Sequence, residues 1–251
     1  MIGVQFNIYS YTNQGARANN EDSCAFWQDA DREKGAFVVA DGLGGHDCGE
    51  VASRLAAEYI LETAQAKGDF TDEALLELLN GANAHIFERQ SADPACKGMR
   101  TTVVAGFLDG DTFRYFHAGD SRFYYFKNGS LYWQSKDHSV SQMSVDMGHI
   151  RPEAIRFDDD RSKLLKVLGD AKCLHIDQLD APIKIEGNDA FLLCTDGFWE
   201  YVFETEMELD LVKSGSPREW CEFMCKRLLR RVSGNNDNFT ALCGLTAQKG
   251  E

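Results

Sequence analysis

Short apolar and aromatic runs separated by polar and glycine-containing turns recur along most of this chain. They predict strands at roughly 4–11, 23–28, 35–40, 101–108, 112–118, 121–126, 131–134, 172–177, 189–195 and 239–245. "FYYFKNGSLYW" is the clearest hairpin, because Asn128-Gly129 is a preferred type I′ pair. "FLDGDTFRYF" predicts a second, turning at Asp109-Gly110. Three stretches switch to helical spacing. Residues 47–66 place Val51, Leu55 and Tyr59, with Ala52 and Ala56, on one stripe; residues 72–91 do so with Leu75, Leu78, Leu79, Ala82 and Ile86. Thr71 is the expected N-cap of the second helix, ahead of Asp72 and Glu73. The third, 217–232, starts at Pro217 after Ser216 and carries Trp220, Phe223, Met224, Leu228 and Leu229. Its last turn holds Lys226, Arg227, Arg230 and Arg231, which suit the negative helix end and a solvated face. Residues 137–171 read as irregular and polar, with "FDDDRSK" as a mobile surface element. Strands, then helices, then hairpins, then one helix before a last strand indicate an α+β domain with antiparallel sheets.

Composition narrows the function classes. The 251 residues suit one large domain or two small ones, and no linker rich in Pro, Gly or Ser divides them. A formal net charge of −14 opposes a sequence-independent hold on nucleic acid and an anionic membrane, but it is compatible with cations. No run reaches the length of a membrane span, and the N-terminus does not read as a signal peptide. The eight cysteines are scattered. Cys194 and Cys243 read as small core residues, and Cys221 and Cys225 lack the partners that would complete a zinc site. A reducing, cytoplasmic setting is expected.

The stretch "AFVVADGLGGHDCGE", residues 36–50, carries the first chemical signal. As a dinucleotide fingerprint it fails at Asp47, where the third glycine belongs; as a P-loop it fails at Glu50 and Val51, where Lys and Ser or Thr belong. Asp41 and Asp47 would also repel an oxyanion. A carboxylate with a glycine carbonyl suits a hard cation instead, whereas an ordinary strand-to-helix turn capped by Asp41 remains the plainer alternative. Gly42 is expected to let the backbone turn sharply. Similar acids stand at other strand ends: Glu21 and Asp22 in "ANNEDS", Asp120 in "FHAGDSR", Asp196 in "FLLCTDGFW" and Asp237 in "GNNDNFTALCGL". If they converge, the cluster costs several kcal/mol unless cations neutralise it. Arg17, five residues before Asp22, has the forked donors that suit a phosphate, or is a surface arginine.

The ordered set "GARANNEDS", "VVADGLGGH", "TTVVAGF", "HAGDSR", "SKDHS", "CTDGFWEYV" and "DNFTAL", spanning about residues 9 to 245, resembles the metal-dependent protein phosphatases of type 2C, in a compact bacterial form. The resemblance implies a β-sandwich of two antiparallel sheets flanked by helices on both faces, formed by a single catalytic domain over 1–251 with a variable flap at about 140–168. It implies two Mn²⁺ or Mg²⁺ ions, with Asp41 bridging both, the carbonyl of Gly42 on one, and Asp196 and Asp237 on the other. Glu21 and Asp22 complete the shell, Asp120 matches a weaker third metal position, and Asn238 orients the ligands. Arg17 would grip the phosphate of a phosphoserine or phosphothreonine protein, opposite a metal-activated water. The partners implied are a Ser/Thr kinase and its substrates, with type VI secretion control as one setting.

Some positions depart from the family pattern. Leu43 stands where many eukaryotic members have a histidine proposed as general acid. His46 reads as a packing or solvated residue rather than a replacement. Arg100 occupies a position that is often glycine in similar proteins, and a surface role is its default reading. A catalytically inactive member serving as a regulatory binding module is the alternative; the acids at 22, 41, 196 and 237 count against it. A nucleotide enzyme built on the glycine loop is opposed by the failed loop tests.

Overall fold

The computed structural model describes residues 5–43, 48–170, 177–179 and 181–247. Two antiparallel sheets lie face to face. One has the order β1 (Gln5–Asn13), β12 (Phe239–Ala247), β11 (Asp189–Cys194), β7 (Arg122–Lys127), β8 (Ser130–Gln134). The other runs β10 (Ile183–Lys184), β6 (Thr112–Ala118), β5 (Val103–Asp109), β3 (Lys34–Leu43), β2 (Asp22–Gln28), with β4 (Arg100–Thr101) on β3 and β9 (Asp177–Gln178) on β6. Helices α1 (Gly49–Lys67) and α2 (Asp72–Ala92) cover the second sheet, whereas α5 (Glu204–Lys213) and α6 (Pro217–Arg231) cover the first. Short helices α3 (Val140–Asp146) and α4 (Asp196–Trp199) complete the set.

The apolar runs are continuous because most strands are buried on both faces. In β3, Ala36 and Val38 pack under α1 and α2, whereas Phe37 and Val39 face the other sheet. In β7, Phe123 and Tyr125 point between the sheets while Tyr124 and Phe126 meet α5 and α6. The layer between the sheets is aromatic, with Phe113 and Phe191 rings 4.8 Å apart and Phe37 and Phe191 4.9 Å apart.

The helices sharpen the sequence reading. Of the expected stripe on α1, Ala52 and Ala56 are fully buried whereas Val51, Leu55 and Tyr59 are only half-buried; the innermost face runs through Ala52, Ala56, Ile60 and Ala64. Small side chains let the helix axis approach the sheet. In α2 all five expected apolar residues are buried, and the Thr71 hydroxyl accepts from the Ala74 amide at 3.4 Å. In α6, Trp220, Met224 and Leu228 are buried, Phe223 is half-buried and Leu229 is exposed. Its basic end does more than compensate a dipole. Arg227 forks onto Asp210 at 2.5 and 2.8 Å, and Arg231 onto Glu206 at 2.6 Å twice, so α6 is clamped to α5, a helix with no counterpart in the sequence reading.

Both hairpins form. Asn128 and Gly129 adopt positive φ as a type I′ turn requires, whereas the second turn is Gly110-Asp111, one residue later than expected. Most of the strand expected at 172–177 falls on residues outside those described. Residues 137–170 of the segment expected to be irregular are more ordered than their polarity suggests. They contain α3 and a 3-10 turn over Pro152–Phe157, Asp158 accepts from Ser141 at 2.5 Å, and Arg161 pairs with Glu200.

The cysteines need one correction. Cys48 and Cys96 are joined in a disulfide, with Cα atoms 5.3 Å apart. The antiparallel return of α2 along α1 brings them together, which a 48-residue separation does not reveal. Cys194 and Cys243 are buried in the core as expected. No helix among the described residues is long and apolar enough to cross a membrane.

Candidate functional site

The period-two stripe that fills the space between the sheets does not stop where the core stops. Phe37 and Val39 are followed on the same face of β3 by Asp41 and Leu43, and Cys24 is followed by Asp22. Beyond Leu193 and Leu242 the equivalent positions in the other sheet are Thr195 and Thr240. One open end of the sandwich is therefore lined with oxygens. Asp22 and Asp41 are direct cross-strand partners, a placement that puts like charges side by side. Asp120, between β6 and β7, and Asp196, the first residue of α4, arrive at the same end, and Asp237 lies just before β12.

The electrostatics confirm the convergence. Burial, then the charges of Asp22, Asp196, Asp120 and Asp237, holds the Asp41 carboxyl well above the ordinary carboxylate range. Burial also pushes Asp22 up to about 7, against hydrogen bonds from Thr240 and Thr195. Asp196 is likewise pushed up to about 7 by burial, then by Glu200 and Asp237. Burial and then Asp196 raise Asp120, and burial and then Glu50 raise Glu21. Asp41 and Asp196 share a side-chain hydrogen bond, whereas among the described residues no three acid, histidine or cysteine side chains close on one point.

The donor set nevertheless fits hard divalent cations. It consists of carboxylate and carbonyl oxygens, and the Asp22 Oδ1 atom is buried without a hydrogen-bond partner. A raised carboxylate pKa sets a pH test. Between about pH 4 and about pH 7 the folded protein keeps protons that the unfolded chain has released, so the metal-stripped form loses stability as pH rises through that window. The Tm gap between manganese-loaded and chelated protein is therefore expected to widen by on the order of 5 °C or more from pH 5.5 to pH 8. Scanning fluorimetry at both ends checks this; a constant gap would mean that these acids are ionised throughout.

Both Asp-Gly steps have a steric reason. Gly42 makes no turn: β3 continues to Leu43, and Gly42 pairs with Thr101. A Cβ on Gly42 would strike the Gly49 carbonyl at the start of α1 and sit 2.8 Å from the Glu21 carbonyl. At Gly197 a Cβ would strike the Asn238 carbonyl. The two glycines let α1 and the β12 approach come close enough to frame the acids. Residues 44–47, His46 among them, lie outside the described residues.

Around the acids, fixed polar groups hold the backbone. The Asp41 amide donates to Thr102 Oγ1 at 3.0 Å, and its carbonyl accepts from the Thr102 amide and the Thr101 hydroxyl, both at 2.8 Å. Thr195 donates to Asp22 Oδ2 at 3.0 Å, bridging the two sheets. Asn238 joins three segments: its Oδ1 accepts from the Glu21 amide at 2.9 Å, and its Nδ2 donates to the Gln14 and Asn19 carbonyls at 2.8 and 2.9 Å. Arg17, on the β1–β2 loop, reaches Asp237 at 2.5 Å with its side chain still 60% exposed. Thr101, Thr102, Thr195 and Glu200 lie inside the quoted motifs and Glu50 inside the glycine loop, but the sequence assigned none of them a role in the site. The threonines adjoin motif residues, but only the strand register shows which backbone atoms they hold.

A further layer joins three motifs. Arg122 of "GDSR" forks onto Asp137 of "SKDHS" at 2.7 Å twice, and lies 3.4 Å from the ring centre of Trp199 in "DGFWE". Trp199 in turn donates to the Asp120 carbonyl at 2.8 Å. These residues position Asp120 and α4. Behind them a cavity of about 600 Å³ is lined by Arg122, Gln142, Arg156 and Glu204 and none of the clustered acids.

Comparison with known proteins identifies the family. The family model described as Protein phosphatase 2C matches residues 11–236. The serine/threonine phosphatase stp of Listeria monocytogenes is 29% identical over 231 residues, covering 90% of each chain. Among solved structures, the catalytic domain of the serine/threonine protein phosphatase PstP in complex with two manganese ions superposes with a TM-score of 0.81 at 27% identity, covering 98% of this chain and 99% of that one. PppA of Pseudomonas aeruginosa, described as a key regulatory component of the type VI secretion system, gives 0.75 at 25% identity, covering 98% and 100%. With the matched segment running from β1 almost to β12 and every strand-end acid inside it or next to its end, the chain belongs to the protein phosphatase 2C family.

Proposed function

We propose that this chain is a metal-dependent protein phosphatase that hydrolyses phosphoserine and phosphothreonine in proteins. The observation that carries the reading is the cross-strand pair Asp22 and Asp41, buried with Asp196, Asp120 and Asp237 around it, an arrangement of like charges that cations would neutralise. Asp41, Asp196 and Asp237, with Glu21, Asp22 and the Gly42 carbonyl, would hold two Mn²⁺ or Mg²⁺ ions, and Asp120 a weaker third. When bound, such a pair supplies Lewis acidity and lowers the pKa of water. Arg17 turns from Asp237 to fork onto the substrate phosphate, for which its exposed position on the β1–β2 loop leaves room. Asn238 keeps the Glu21 and Asp237 segments in register. Leu43 donates no proton, so the leaving oxygen takes its proton from water. The described chain acts as one catalytic domain, with 140–168 as a flap beside the site.

The inactive-module alternative is not favoured, because every acid of the set is present. The same reading gives a bacterial Ser/Thr kinase and its substrates as the opposing activity, in the cytoplasm. The likeness to PppA supports type VI secretion control as a setting. The direct test is phosphate release from a phosphothreonine peptide by metal-stripped protein with and without Mn²⁺; turnover that survives chelation removes the metal-dependent reading. Arg17→Ala should raise KM for the peptide by about 10-fold or more and leave Mn²⁺ affinity nearly unchanged. A large loss of Mn²⁺ binding in that variant would instead make Arg17 a structural residue.

A further inference from the structure

Arg100 is a sequence feature that the reaction as described leaves unused. The pairings Val39↔Val104, Gly42↔Thr101 and Leu43↔Arg100 share one offset, and the Thr102 amide donates to the Asp41 carbonyl between them. Asp41 and Leu43 share a strand face, and direct cross-strand partners share one too, so Arg100 stands on the face that carries the Asp41 carboxylate. On its other side the chain returning from 140–168 pairs with β4, through Thr101 and Leu168. Arg100 thus sits between Leu43 and the end of the flap, at the rim of the site.

Its side chain is 51% exposed, and the nearest ion-pair carboxylate, Asp170, is 4.0 Å away. A hollow of about 270 Å³ beside it is lined by Gln90, Lys97, Gly98, Gly169 and Asp170. Among the described residues that line the hollow, two cations against one carboxylate make a locally positive spot on a chain of net charge −14. A cation at this rim attracts anions that Asp22, Asp41 and Asp196 would repel.

We infer that Arg100, with Lys97 beside it, is a specificity-determining residue that binds an anionic side chain flanking the scissile phosphoresidue of the substrate. This rests on the phosphatase reading. An extended peptide advances about 3.3 Å per residue, so an acid two or three residues from the phosphothreonine lies within reach of a long side chain at the rim. The anion is a carboxylate or a second phosphate, both of which a guanidinium forks onto.

The test uses the Mn²⁺-loaded protein, p-nitrophenyl phosphate and three phosphothreonine peptides, in which the positions two and three residues away on both sides are alanine, aspartate or phosphoserine, with loss of phosphate from the central threonine alone scored by mass spectrometry. Wild type should favour the aspartate and phosphoserine peptides over the alanine one by about 5-fold or more in kcat/KM, and 0.5 M salt should shrink that preference. Arg100→Gly and Arg100→Ala should abolish it while leaving p-nitrophenyl phosphate and the alanine peptide unchanged. Arg100→Glu should invert it, and Arg100→Lys should retain part of it. A preference for aspartate and phosphoserine alike assigns general anion recognition; one for phosphoserine alone narrows the ligand to a second phosphate. Equal rates on all three peptides in wild type, or equal losses on every substrate in the variants, would overturn the assignment. If no peptide is hydrolysed at all, it is the phosphatase reading that fails.

Discussion

Asp41→Asn is expected to lower kcat/KM on a phosphothreonine peptide by about 10³-fold or more, the loss that follows when several kcal/mol of transition-state stabilisation disappear. The fold should survive. Every hydrogen bond that places Asp41 beside Thr101 and Thr102 uses its own amide or carbonyl, and those groups are kept in asparagine. The carboxylate itself is held against burial and against Asp22, Asp196, Asp120 and Asp237. Asparagine, neutral at every pH, never meets that penalty, so the chelated variant should melt no lower than the chelated wild type. Activity, Mn²⁺ titration calorimetry and Tm give three separate readouts. Inactive, weakly Mn²⁺-binding and undestabilised is the expected combination. Near-wild-type turnover would show that Asp41 is not where the chemistry is organised.

Arg122→Ala has the opposite profile, a stability effect first. Arg122 is 4% exposed and its partner Asp137 is 5% exposed, so truncation leaves a buried carboxylate with its bidentate partner gone. The expected cost is about 3–5 kcal/mol, or on the order of 10 °C in Tm. The variant also removes the guanidinium from the face of Trp199, whose indole holds the Asp120 carbonyl. Activity should fall because Asp120 and α4 lose their support. Urea denaturation measures the first effect. Pairing Arg122→Met with Asp137→Leu should recover much of the stability, because replacing both ions by apolar groups removes the unpaired charge. A fully additive double variant would mean that the two residues act independently.

Prediction from pattern worked best where burial and hydrogen bonding are local. The α2 stripe and its Thr71 cap, the Asn128-Gly129 turn and the double-sided strands all follow from residue type at fixed spacing. It failed where small residues and ion pairs decide. On α1 the larger residues of the expected stripe, Val51, Leu55 and Tyr59, stay half-buried while Ala52 and Ala56 reach the sheet, because closeness to the sheet mattered more than side-chain volume. Helix α5 has few buried side chains of its own and is held through Arg227 and Arg231, partners outside its own segment.

The acids at strand ends, the two Asp-Gly steps and the absence of a phosphate-binding lysine were all visible in the chain, because each is a matter of residue type beside an apolar run. With the ordered motifs they sufficed to set the family and the candidate ligands. Convergence was not visible. That Asp22 lies opposite Asp41, that Thr195 bridges the sheets, that Gly42 is small to admit α1 rather than to turn, and that Arg100 stands beside Leu43 depend on register between strands distant in sequence. Register is fixed by which face each strand buries against the opposite sheet, a property of the packed sandwich rather than of any one segment.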